Sequence, residues 1–149
     1  MLRRIFIPML AAAGLAFACG PRGSGPLAKV SRASEADGTV VSHVAVDTAN
    51  GSVGFVIEVS NETGKRVEMT FPDGRTHDFI VLDSAGREVW RWSAGRMFTQ
   101  SIQNRLIDAH DSVIYRERWE PEGPGSYTLV AQLHSENYPM QQRVEFLLH

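Results

Sequence analysis

The chain has 149 residues and a formal charge of −2 at pH 7, a length that suits one domain with a short leader. So small and mixed a charge gives no ground for a nucleic-acid partner, because phosphate binding needs a clustered basic surface. The single cysteine, Cys19, excludes an intrachain disulfide and any zinc site built of thiolates.

Residues 1–18 have the three parts of a secretory signal. Arg3 and Arg4 make a basic start, and the apolar run from Ile5 to Phe17 is too short for an ordinary membrane span. Small residues then precede Cys19. The string Leu15-Ala16-Phe17-Ala18-Cys19 resembles a bacterial lipobox, with Ala16 where Leu is commoner. That resemblance implies lipidation of Cys19 and cleavage before it. The competing reading is ordinary signal cleavage, which leaves Cys19 a free thiol. Each buried methylene contributes about 0.8 kcal/mol, so several acyl chains on one cysteine would hold the protein at a membrane. The expected location is therefore the bacterial cell envelope, on the outer membrane or its periplasmic side if the cell has one. Losing Arg3 and Arg4 with the leader takes the formal charge to −4.

Residues 19–38 begin Cys19-Gly20-Pro21-Arg22-Gly23-Ser24-Gly25-Pro26 and stay polar to Gly38. Gly, Ser and Pro at this density bury little apolar surface, which predicts a flexible tether. Residues 39–149 then form the domain. From Val40 the apolar positions recur with period two, the pattern of half-buried strands. Val40, Val44 and Val46 share a face. Phe55, Ile57 and Val59 alternate with smaller or polar residues, as do Val67, Met69 and Phe71. Phe79-Ile80-Val81-Leu82 is apolar on both faces and reads as a central strand. Trp90 and Trp92 share a face opposite Val89 and Arg91. Ile102 and Leu106 are the apolar positions of a more polar strand. Val113, Tyr115 and Trp119 form one face, Tyr127, Leu129, Ala131 and Leu133 another, and Val144, Phe146 and Leu148 the last.

Turn chemistry separates these runs: Asn50-Gly51, Asn61 to Gly64, Pro72-Asp73-Gly74, Ser84-Ala85-Gly86, Asp108 to Asp111, and Glu122 to Gly125. The expectation is an all-β, immunoglobulin-like antiparallel sandwich of about eight or nine strands. Pro124-Gly125-Ser126-Tyr127 has the form of a tyrosine corner, although no cysteine follows it.

Groups for catalysis do not converge. The chain lacks a Gly-x-Ser-x-Gly motif and a phosphate-cradling glycine loop. His43, His77, His110, His134 and His149 are scattered, none at ligand spacing with a second His or Cys. His77-Asp78, the one adjacent His–acid pair, reads as a turn running into a strand. Neither an enzyme, a metal nor a cofactor is expected.

The densest signal runs from Arg75 to Gln100. It contains His77-Asp78-Phe79, then Gly86-Arg87-Glu88-Val89-Trp90-Arg91-Trp92-Ser93, then Met97-Phe98-Thr99-Gln100. The segment resembles the BsuPI family, the intracellular proteinase inhibitors of bacilli. The Asp111-to-Trp119 strand and Gly125-Ser126-Tyr127 fit as well, so the resemblance spans residues 42 to 134. It implies an immunoglobulin-like sandwich and a serine proteinase as partner, bound by steric occlusion. The family is named for an intracellular protein, whereas this leader implies export.

Two arrangements of the dense segment fit the sequence. In one, Asp78, Phe79, Trp90, Trp92 and Ser93 are structural, with Met97 and Phe98 packed beneath a loop. In the other, Ser93 to Gln100 protrudes and offers Arg96, Met97 and Phe98 to a partner. Arg96 would suit a trypsin-like pocket, and Met97 or Phe98 a subtilisin-like or chymotrypsin-like one. Two other roles also fit a sandwich: a non-inhibitory envelope interaction or assembly module that recruits partners at a sheet edge, and a carrier of a small apolar ligand between the sheets.

Overall fold

The computed structural model describes residues 27–33, 39–48 and 51–149. The leader, Cys19 and the Gly/Pro-rich start of the tether lie outside the described residues. Among the described residues, ten strands follow in chain order: β1 (Leu27–Ala33), β2 (Val40–Asp47), β3 (Val53–Asn61), β4 (Val67–Phe71), β5 (His77–Leu82), β6 (Glu88–Arg91), β7 (Gln103–Ile107), β8 (Ser112–Trp119), β9 (Gly125–Leu133) and β10 (Met140–Leu148). No α-helix occurs among the described residues. One sheet has the order β1-β2-β3-β8, the other β10-β9-β5-β6, and β4 and β7 form a two-stranded ribbon. All pairings are antiparallel. The expected all-β sandwich is what the chain forms.

The segment read as a tether is not free of structure throughout. Leu27–Ala33 pairs with β2 in one unbroken ladder, from Leu27 opposite Val46 to Ala33 opposite Val40. An edge strand leaves a row of unpaired amides and carbonyls, and β1 covers the edge that β2 would otherwise expose. The Gly, Ser and Pro content that suggested a tether is concentrated before Leu27.

The period-two pattern sorts the core as expected. On β3, Val53, Phe55, Ile57 and Val59 are buried, and their alternates are half-buried. Strand β5 has five buried residues in a row, because it lies inside its sheet between β9 and β6. Phe55 is the hub between the sheets. Its ring lies 5.7 Å from Phe79, 5.8 Å from Trp90, 6.1 Å from Phe146 and 6.5 Å from Trp119. Phe79, Trp90 and Phe146 belong to the opposite sheet, so this one side chain contacts three strands across the interface. Aromatic pairs at such separations contribute about 0.5–1.5 kcal/mol each beyond the area they bury.

On β7 the sequence phase differs from the structure. Ile102 and Leu106 are largely exposed, and Ile107 is the buried residue. The strand pairs only with β4, and just its last residue reaches the core. Tyr127 completes the tyrosine corner, its hydroxyl donating to the Gly123 carbonyl at 3.1 Å.

Asn61 joins two turns. Its buried side-chain amide donates to the carbonyls of Lys65 (2.7 Å), Asp108 (2.9 Å) and Ile107 (3.1 Å). Its oxygen accepts from the Thr63 amide at 3.0 Å and the Thr63 hydroxyl at 2.7 Å. A carboxylate of the same shape would set an oxygen against three carbonyl oxygens. Asn61→Asp should therefore destabilise the domain by about 2–4 kcal/mol at neutral pH, read as a lower urea midpoint. An unchanged midpoint would show that the turns hold without this side chain.

Candidate functional site

The Asp78 side chain, on β5, is fully buried and surrounded by donors. One oxygen accepts from the amides of Phe79 (2.9 Å) and Ser93 (3.2 Å). The other accepts from the Ser93 hydroxyl (2.5 Å) and an Arg91 guanidinium nitrogen (3.2 Å). Arg91 is held in turn by Glu88, at 2.6 and 3.0 Å. A buried carboxylate is tolerated when its lone pairs are filled in this way. Two of the four bonds to this carboxylate come from Ser93 and fix it where the chain leaves the β6 hairpin. The Trp92 amide reinforces this by donating to the Phe79 carbonyl at 2.9 Å.

The next stretch, residues 93–102, turns at Gly95, whose φ of +72° favours glycine. Its far end is fixed by the Pro72–Gly74 turn. Asp73 accepts from the Arg75 amide at 2.7 Å, which shapes that turn. The Gly74 amide donates to the Thr99 carbonyl at 2.9 Å. The approach is so close that a Cβ at position 74 would lie 2.7 Å from the Thr99 methyl. Nothing in the sequence marks Gly74 as more than a turn residue.

Between these anchors the three candidate residues separate. Arg96 lies back over the domain: its Nε donates to the Trp92 carbonyl at 2.8 Å, and its guanidinium sits 4.6 Å from the Trp92 ring. Phe98 is half-buried with its ring 5.6 Å from the same indole. Met97 is 98% exposed. The two arrangements drawn from the sequence are thus combined. Trp90 packs into the core on Phe55, while Trp92 forms a platform under the loop, gripped by residues on either side of Met97.

His77 supports the platform from below. Its ring stacks on Trp92 at 4.3 Å and lies 4.6 Å from Tyr115. Burial is the main force on this imidazole and lowers its pKa from 6.5 to about 4. Asp78 opposes the shift, and His134 and Arg96 add to it. His77 is therefore neutral at pH 7, and Glu117, 3.5 Å from its Nε2, gains an ion-pair partner only when the ring takes a proton. Burial also lowers the His134 pKa and raises that of Glu117. No group of three or more potential metal-ligating side chains occurs among the described residues.

Two expectations follow. Asp78→Ala strands the Ser93 and Arg91 donors and should cost about 3–5 kcal/mol, with faster proteolytic nicking of residues 93–102 in the folded state. Equal nicking rates in both proteins would separate the carboxylate from loop order. The second concerns acid. An unfolded His77 takes its proton near pH 6.5 and the folded one only near 4. The unfolded state thus binds more protons in that window. Stability should be flat above about 6.5 and fall on the order of 2–3 kcal/mol as the pH drops toward 4. His77→Phe, which keeps the stacking, should flatten most of that slope in urea titrations at several pH values.

Among solved structures, a β-glucosidase of Erythrobacter marinus aligns at a TM-score of 0.36 and 16% identity. The alignment covers 82% of this chain and 15% of that one. No curated protein matches. Residues 40–138 match the BsuPI family, described as intracellular proteinase inhibitor. That stretch takes in the Phe55 hub, the Asp78 clamp, both tryptophans of β6 and its exit, and the whole of the 93–102 loop. The chain belongs to the BsuPI family of intracellular proteinase inhibitors.

Proposed function

We propose that this protein binds a serine proteinase and blocks its cleft with the 93–102 loop, without chemistry of its own. One observation carries the reading: a loop fixed at Ser93 by Asp78 and at Thr99 by Gly74 leaves Met97 almost wholly in solvent. A substrate-like inhibitor needs a segment already held in its bound shape. Ordering a free loop on binding would cost about 0.5–1.5 kcal/mol for each side chain immobilised. The family supports a proteinase as partner, and the serine class is what the resemblance of the Arg75–Gln100 segment implies.

The lipobox-like string ending at Cys19 supports a lipid anchor, which would place the inhibitor at the surface of an envelope membrane. A second reading, a non-inhibitory envelope module, rests on β6. This four-residue edge strand carries the exposed Val89 and is open to strand addition on its outer side.

Titration of the full-length protein against subtilisin-like, chymotrypsin-like and trypsin-like enzymes should give saturable, stoichiometric inhibition of at least one. Replacing Arg96, Met97 and Phe98 together by Ala should abolish it. Inhibition that survives the triple replacement would move the contact elsewhere. Absence of inhibition across the panel would favour the envelope module.

A further inference from the structure

The three exposed-loop candidates are not equivalent, and their geometry selects among proteinase classes. We infer that Met97 is the residue that enters the specificity pocket of the bound proteinase, and that this pocket is deep and apolar. The inference rests on the proposal that the 93–102 loop occupies a proteinase cleft. It goes further in naming the residue that enters and the class of enzyme that accepts it.

Arg96 is exposed, but as the loop stands its guanidinium is engaged with Trp92. Filling a trypsin-like pocket would break its bond to the Trp92 carbonyl and lift the guanidinium from the indole. It would also remove a cation from the aromatic face that attracts it. Phe98 lies with its ring 5.6 Å from the same indole and would have to leave a half-buried position. Met97 needs no such rearrangement. Its side chain is already in solvent, and among the described residues neither its amide nor its carbonyl takes part in a hydrogen bond. Both backbone groups are therefore open to pair with the strands that line a proteinase cleft. Nearly all the apolar surface of Met97 is exposed before binding, so its burial in a matching pocket gives a full hydrophobic gain. A thioether chain is unbranched and adapts to a narrow slot. A pocket with an acid at its base would gain nothing from it.

Trp92 explains how one side chain is singled out. Arg96 and Phe98 bind the same ring, 4.6 Å and 5.6 Å away, and the residue between them projects from the domain. Arg96, Phe98 and Trp92 are positioning residues in this scheme, and Met97 is the contact.

The test is a change of target. Wild-type protein should inhibit a subtilisin-like or chymotrypsin-like enzyme and leave trypsin at least 100-fold less affected. Met97→Lys should reverse that preference, and Met97→Ala should weaken inhibition of the apolar-pocket enzyme by about 100-fold. Position 97 is fully exposed, so both variants should unfold at the wild-type urea midpoint. Arg96→Ala should not transfer specificity, and its loss should be matched by greater loop nicking. If inhibition is indifferent to residue 97 but is abolished when Arg96, Met97 and Phe98 are all Ala, the Met97 assignment is overturned and the loop reading stands. Trypsin as the best target of the wild-type protein overturns it too. If no serine proteinase is inhibited, both fail together.

Discussion

A single buried carboxylate organises the working end of this sandwich. Asp78 sits within β5, where five consecutive residues are buried, and a charge there is stable only if its surroundings donate to it. The donors come from Phe79 beside it and from Arg91 and Ser93 on the next hairpin arm. Satisfying the carboxylate therefore fixes the β6 exit. That exit fixes Trp92, and Trp92 determines which loop residues lie flat and which project. Each step follows from the demand of one group for hydrogen bonds away from water.

The rest of the core packs against the same hairpin through Trp90. With one cysteine in the chain, no covalent link can join the sheets. Phe55 takes that place, touching rings from β5, β6 and β10 across the interface and Trp119 on its own sheet. Trp90 is common to both systems. It packs on Phe55 and is one residue from Arg91, so core packing and the Asp78 network constrain the same four-residue strand. Below Trp92, His77 is neutral at pH 7 and stacks on the indole without a charge to hydrate.

Much of the fold was legible because period-two burial leaves a direct mark on the sequence. The valines of β2, the Phe55 face of β3 and the doubly apolar β5 lie where the alternation puts them. Two elements were not legible, for physical reasons. Strand β1 follows a Gly- and Pro-rich stretch and is held by backbone pairing to an open edge, which leaves little compositional trace. Strand β7 pairs with a single neighbour and exposes most of its length, so its apolar residues do not report its inward face. At the candidate site, the residue types were visible but their directions were not. Met97 projects because Ser93 meets a carboxylate fifteen residues earlier and Thr99 meets a turn at Gly74. Neither contact has a local sequence signature.

The exposure of Met97 also bears on how such a protein can change over time. Positions 74, 78, 92 and 93 answer to close contacts within the domain, and a substitution at any of them disturbs folding or loop shape. Position 97 is 98% exposed and answers to no close contact among the described residues. Mutations there escape the stability threshold that removes most substitutions elsewhere. The scaffold can therefore stay constant under selection for folding while one codon drifts, or is driven, with the identity of whatever meets the loop.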